Sequence, residues 1–444
     1  MKPVFKILSG VMTAGAVMAA SAPAMAAVTP ETAYILNSFS FLVCGALVMF
    51  MAAGFAMLEA GLVRSKNVAT ICTKNIALYA LAGIMYYLLG YNLMYDGVDG
   101  GFIGSIHLWL ADDAAALAKT AADFGDGSGY ASASDWFFQM VFVATAASIV
   151  SGTVAERIRL WPFMAFTAVL TAVIYPIEGA WVWGGGWLNE MGFADFAGST
   201  IVHSTGGWAA LTGAIILGAR RGKYGPGGQV TPMPGSNLPL ATVGTFILWL
   251  GWFGFNGGSQ LALGSAANAV AMSTIFANTN MAAAAGVVVA MALTQVLYKK
   301  VDLTMALNGA LAGLVSITAG PDTPTIGQAI LIGGVGGALV VFAVPFFDRL
   351  KIDDVVGALS VHLVAGIWGT MAVPFTNGET SFVTQAIGVL AIGAFVSAAS
   401  AVVWLVIKYT VGLRVGQEEE FVGSDQAELG LEAYPEFGTG SQKI

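Results

Sequence analysis

Beyond residue 30 the chain is a succession of apolar stretches separated by short polar turns. Taking about 20 residues as one membrane-crossing helix, eleven spans are predicted. They run at 34–60, 68–93, 134–155, 160–180, 196–218, 239–261, 271–298, 304–320, 326–347, 357–374 and 381–412. Several are interrupted by Gly or Pro, and the tenth is short. Ahead of them, Lys2 and Lys6 precede an apolar run from Ile7 to Ala20, followed by Ala24-Met25-Ala26. A basic start, a short apolar core and a small-residue cleavage motif predict a signal peptide over residues 1–26. The expected fold is an all-α polytopic membrane protein over 27–412, followed by a tail over 413–444.

Basic residues sort the loops into two classes. One class holds Arg64 and Lys66, Arg157 and Arg159, Arg220, Arg221 and Lys223, Lys299 and Lys300, Arg349 and Lys351, and then Arg414. The intervening loops hold Lys119 and almost nothing else basic. This asymmetry predicts a multi-pass protein of a bacterial inner membrane, with the mature N-terminus outside and the C-terminus in the cytoplasm. The outer segment 94–133 instead carries Asp96, Asp99, Asp112, Asp113, Asp123 and Asp126, either a vestibule that gathers cations or a solvated loop.

Two of the three histidines share one neighbourhood. Asp195-x-x-Gly198-x-x-x-Val202-His203-x-x-x-Gly207 matches Asp354-x-x-Gly357-x-x-x-Val361-His362-x-x-x-Gly366. The first copy lies on the fifth span and the second on the tenth. Five is odd, so the second copy enters the membrane from the opposite side. The pattern predicts two inverted five-helix repeats, at approximately 34–218 and 239–374, plus a last helix over 381–412. Each histidine stands roughly 12 Å past its aspartate at about 1.5 Å per residue, so both reach the middle of the membrane.

Composition agrees with the spans. The chain is 57% apolar and 10% charged, against roughly 45–50% and about 25% in soluble domains. Its 57 glycines suit close helix packing in lipid. Cys44 and Cys72 lie in apolar stretches and read as buried free thiols, so neither a disulfide scaffold nor a metal site is expected. The net charge of −8 reflects loops and an acidic tail and does not point to nucleic acid.

Ionisable groups at membrane depth mark a transport path or a relay by default. Two neutral imidazoles can share a proton and line a narrow path. The alternatives are a pair of packing histidines and a bis-histidine haem. A second candidate feature is aromatic and polar: Trp183 within Val182-Trp183-Gly184-Gly185-Gly186, Gln139 and Phe142 on the third span, and Trp252-Phe253-Gly254-Phe255-Asn256-Gly257-Gly258-Ser259 at the end of the sixth. Electron-rich rings can hold a small cation at about 0.5–2 kcal/mol per good contact, although such residues also form ordinary interfacial belts.

Taken together these stretches resemble the ammonium transporter family, the Amt/Mep/Rh superfamily. The matching segments are Gly61 to Asn67, Ala155-Glu156-Arg157, Trp183 to Gly186, Asp195 to His203, Gly251 to Asn256 and the segment ending at His362. They occur in order along the whole mature chain. The resemblance implies a homotrimer, with one path per subunit, that takes ammonium from outside, removes its proton and conducts ammonia. It implies that Phe142, Trp183 and Ser259 form an outer binding site supported by Asp195. It further implies that Phe142 and Phe255 are the rings that block the pore, and that His203 and His362, with Trp252 beside them, line it. No cofactor, metal or enzymatic activity is implied. Ammonium, ammonia and membrane lipid are the expected ligands, and an ammonium sensor of the same fold is the alternative. An ion-coupled amine carrier is a further rival.

Two positions depart from the family's pattern. Asn308 stands at a pore-side position where some relatives carry Ser. The tail has Leu429-Gly430-Leu431 where relatives often have His-Gly-Glu. The resemblance implies a PII-type nitrogen-signalling protein as a partner of this tail; a disordered acidic segment is the other reading.

Overall fold

The computed structural model describes residues 28–119 and 124–437. The predicted signal peptide over 1–26 lies outside them. Among the described residues nine helices are long and apolar enough to cross a membrane: α1 (Pro30–Leu62), α2 (Ser65–Tyr95), α3 (Ser132–Thr153), α4 (Leu160–Ala180), α5 (Ser199–Leu217), α6 (Leu238–Gly258), α7 (Ala266–Tyr298), α9 (Ile326–Arg349) and α11 (Phe382–Thr410). Two shorter apolar helices, α8 (Leu303–Thr318) and α10 (Leu359–Phe375), complete the series. Nine and two make the eleven expected. The described residues contain no strands, only isolated bridges such as Ile158 with Arg414.

Helix starts are set by side chains that satisfy otherwise orphaned backbone donors. Thr29 Oγ1 accepts from Thr32 N with Pro30 in the first turn, and Asp302 accepts from Thr304 N and Met305 N. Thr325 and Gln328 close a reciprocal capping box ahead of α9. Between the caps, packing depends on small residues, because lipid offers apolar helices no hydrophobic drive to associate. A Cβ on Gly286 of α7 would sit 2.1 Å from the Gly309 oxygen of α8. One on Gly333 of α9 would sit 2.2 Å from the Ala282 oxygen of α7. Only hydrogen fits at these crossings.

Large apolar side chains such as Phe39, Phe246, Leu331 and Leu390 are exposed on the outer faces of the bundle, where a bilayer would cover them. This corrects one expectation. Cys44 is buried, but Cys72 is exposed on α2. An apolar stretch in a membrane protein has a lipid-facing side as apolar as its packed side, so composition alone does not assign a thiol to either.

Helices α5 and α10 run antiparallel through the centre. Thr200 Oγ1 meets Thr370 Oγ1 at 2.6 Å, while Gly207, one to two turns further along α5, abuts Leu363, earlier on α10. The end of the bundle carrying Trp183 is termed outer, and the end carrying Arg157 inner, following the charge asymmetry.

The inner end is clamped by buried ions. Arg220 grips Asp353 with two hydrogen bonds of 2.9 Å and its own backbone N–H at 2.8 Å, and its guanidinium also meets Glu156 at 3.3 Å. Arg157 donates to Asp353 O at 2.7 Å and to Gly218 O at 3.1 Å. Burial alone would raise the Asp353 pKa. The Arg220 hydrogen bonds and the Arg157 and Arg220 charges outweigh it and hold the carboxyl at about 2. The tail is folded onto this end. Asp425 accepts from Ala69 N and Thr70 N, Ser424 donates to Asn67 Oδ1, and Glu420 Oε1 accepts from Arg221 N at 2.7 Å. Acidic tail residues thus engage the amide-rich start of α2 and a basic loop, which is a favourable arrangement near a helix N-terminus.

Candidate functional site

Each histidine sits on a π-helical turn, Ser199–Ser204 in α5 and Leu359–Val364 in α10. In the first, His203 N bonds to Gly198 O at 3.0 Å, a five-residue closure. Such widened turns leave backbone groups in need of partners and often coincide with functional sites. The preceding aspartates supply acceptors. Asp195 Oδ1 takes Gly198 N and Ser199 N, while Oδ2 takes Thr200 N and Ile201 N, all at 2.8–3.2 Å. Asp354 Oδ2 accepts from Leu359 N at 2.7 Å and its Oδ1 from Thr153 Oγ1 at 3.1 Å. Gly198 and Gly357 hold φ of +102° and +83°, which ordinary side chains rarely adopt. The shared Asp-x-x-Gly spacing is therefore the local code for a carboxylate-capped π-turn that carries a histidine.

Between these turns the two rings meet. His203 Nδ1 and His362 Nδ1 lie 3.2 Å apart, with the rings nearly parallel at 23°. Both are buried. One Nδ1 must donate and the other accept, so in the neutral pair one Nε2 is bare and the other carries hydrogen. His203 Nε2 has no protein partner among the described residues. The spacing leaves no room for an iron between the two Nδ1 atoms, which needs metal–nitrogen bonds of about 2 Å on each side, or roughly 4 Å in all, and so does not favour the haem alternative.

The rings form a ladder through the bundle. Phe142 and Phe255 stand 4.0 Å apart between centroids, Phe255 and His203 5.3 Å, His203 and His362 5.2 Å, and His362 and Phe55 6.2 Å. Trp252 flanks His203 at 4.9 Å and is locked by a 2.8 Å bond from its Nε1 to Thr318 Oγ1. Phe142 and Phe255 are both essentially inaccessible, so the ladder is shut at its outer rung.

Above that rung opens a cavity of about 450 Å³ lined by Phe142, Trp183, Ser259, Phe138, Gln139 and Asp135 with Tyr91, Tyr95 and Tyr130. Phe142 meets Trp183 edge-on at 6.0 Å. Ser259 Oγ donates to Phe255 O at 2.8 Å, which leaves its lone pairs free to accept from a cation in the cavity it lines. Asp195 stands behind this wall, and its carbonyl accepts from Trp183 Nε1 at 2.9 Å. One residue thus organises both the π-turn beneath and the indole above. Phe142, Trp183, Ser259 and Asp195 come together at the outer end, and Phe255, His203, His362 and Trp252 continue inward.

Reading the sequence did not single out Asp135, whose carboxylate accepts from the Tyr91 hydroxyl at the cavity wall. An acid in the first turn of a helix reads as a routine helix-start residue, and only the tertiary placement of Tyr91 reveals more. Two of the outer-loop acids are otherwise occupied. Asp96 pairs with His107 at 2.9 Å, an interaction that raises the imidazole pKa, and Asp113 caps the backbone at Ser132 and Ala133. On the inner side a cavity of about 390 Å³ is lined by Arg220, Lys223, Asp302, Asp348, Asp354 and Asn308 among others. Among the described residues no group of three or more His, Cys, Asp or Glu side chains is disposed to hold a metal ion.

The sequence profile described as the Ammonium Transporter Family matches residues 39–434. An Archaeoglobus fulgidus protein, "Ammonium transporter Amt2", is 40% identical over 426 residues, covering 89% of this chain and 87% of that protein. Among solved structures, one titled "Sensor Amt Protein" superposes with a TM-score of 0.83 at 36% identity, covering 90% of this chain and 99% of that one. A crystal structure of Candida albicans Mep2 gives 0.76 at 26% identity, covering 91% of each.

Proposed function

Because the chain belongs to the ammonium transporter family, we propose that it moves ammonium nitrogen across a bacterial inner membrane by stripping, conducting and returning a proton. The observation that carries this reading is the continuous ladder from the outer aromatic cavity, through Phe142 and Phe255, to two imidazoles in direct contact.

Ammonium enters the outer cavity and is held by the faces of Phe142 and Trp183 and by the Ser259 hydroxyl oxygen. Each good ring contact contributes about 0.5–2 kcal/mol. Potassium is similar in size and would be held comparably, so binding there does not by itself give selectivity. Selectivity arises below. An unpaired ion in an apolar medium costs tens of kcal/mol by simple solvation arguments, whereas a neutral amine costs only a few. Ammonium meets this demand by shedding a proton, and potassium cannot. Thermal rotation of Phe142 and Phe255 opens the rung, and ammonia then moves past His203 and His362, meeting a bare nitrogen at one ring and an N–H at the other. The same Nδ1 contact offers the released proton a route inward. The functional unit is a homotrimer with one path per subunit, and the docked tail is where a PII-type partner engages.

Replacing both histidines by apolar residues tests the reading. In vesicles, discrimination between ammonium and potassium should be lost or conduction should stop. A double variant with wild-type flux and selectivity would reduce the pair to packing. The likeness to the structure titled "Sensor Amt Protein", together with a tail tied to helix ends, supports a second reading, in which occupancy of the outer site is reported by the tail.

A further inference from the structure

On the inner side of His362 the ladder reaches a narrow cavity of about 10 Å³. That is close to the least space that holds one water molecule, and ammonia is of the same size class. The wall is mostly apolar, with Phe55, Leu58 and Val361 beside the imidazole. Only two ionisable side chains belong to it, His362 and Glu59.

Glu59 lies on α1 and is 1% exposed. Its Oε2 accepts from Ser151 Oγ at 2.8 Å, while Oε1 makes no close hydrogen bond among the described residues and has the Asn75 side chain as its nearest potential donor. Lys74 of α2 supplies the opposing charge and donates from Nζ to Ser151 O at 3.0 Å. The plain reading is an acid and a base of opposite charge that tie α1, α2 and α3 together through Ser151. Buried charges of this kind, however, are often no more stabilising than apolar residues of the same volume, and a purely structural role gives no reason for an acid with an unpartnered oxygen among the residues that line the pore beside His362.

We propose that Glu59 is the inner proton-exchange site of the pore, where conducted ammonia regains its proton; this rests on the transport reading above. Ammonia enters the one-molecule cavity with a free lone pair. The O–H bond of the protonated carboxyl breaks and a fourth N–H bond forms, leaving ammonium beside a carboxylate that Lys74 and Ser151 steady. The ion departs past Asn308 and Val356, which line both this cavity and the inner mouth. The carboxylate then takes the proton that ammonium shed at the outer end, delivered through the imidazole pair and His362. One ammonium enters, one leaves, and every proton is accounted for.

The test uses the full chain in proteoliposomes and reads current on an ammonium gradient. Glu59→Gln keeps the volume and a partner for Ser151 but cannot exchange a proton, so the current should fall by about a hundredfold or more, the scale on which positioned proton transfer acts. Gln also leaves the Lys74 charge unbalanced, which can harm folding by itself. The paired variant Glu59→Gln with Lys74→Met removes both charges, and its current should stay equally low in protein that elutes and melts like the parent. Recovery of wild-type current in the paired variant, or its retention in Glu59→Gln, would overturn the proposal and leave transport intact. An absent current in the unaltered protein would overturn the transport reading as well, and the same preparation shows it.

Discussion

Asp195 does the work of several residues. Its four backbone contacts and its carbonyl bond to Trp183 join the outer cavity to the turn that carries His203. Replacing it by Ala orphans four buried N–H groups, each costing roughly 1–3 kcal/mol. Asp195→Ala should therefore abolish ammonium uptake and weaken the fold together, as radiotracer or proton-flux assays and thermal melts would show. Retained wild-type uptake would remove the residue from the mechanism. At this scale the sequence was informative where it repeated itself. Two Asp-x-x-Gly-x-x-x-Val-His segments expose a shared local structure without any knowledge of the fold. Glu59 and Asp135 have no such echo. Glu59 stands only five residues before Arg64, where an acid reads as belonging to the helix end, and nothing local discloses that it faces a cavity beside His362.

At the scale of helices, apolar length sufficed to count the spans, including the two short ones whose interior positions need less lipid-facing length. Length does not show the π-turns, because the extra backbone residue is absorbed without a change of composition. Nor does it show which face meets lipid, as Cys72 illustrates. The close crossings are more easily anticipated, since glycine is abundant in the predicted spans. Gly333→Ala should force the Ala282 carbonyl of α7 away from α9 and lower stability by about 1–3 kcal/mol, the usual cost of overpacking. A melting temperature equal to that of the parent protein would show that the crossing can relax.

Across the whole molecule, several of the loops that sequence marked as basic bind acids at one end, through Arg64, Arg159, Arg220, Arg221 and Lys223. The Arg220–Asp353 pair is the buried centre of that clamp. Removing one partner should destabilise the protein by about 3–5 kcal/mol, because the other charge is left buried. Its pH dependence has a definite sign. Asp353 is held at about 2 against an ordinary 3.8, so in that window the unfolded chain binds more protons than the folded one. The stabilisation is complete above about pH 4 and is lost as pH falls toward 2. Melts recorded from pH 5 to 2 should show this decline, with a shallower slope in Asp353→Asn. The tail completes the same end. Its dense hydrogen bonding to Asn67, Ala69 and Thr70 was not evident from a run of acidic residues, since the partners lie more than 350 positions away in sequence.

The central claim is that nitrogen crosses because ammonium gives up a proton that potassium does not have. Purified protein in proteoliposomes, with current recorded on an ammonium gradient and then on an equal potassium gradient, tests it most directly. An ammonium current with none for potassium is expected. Comparable currents for both ions would show that the pore passes them intact and would contradict the account.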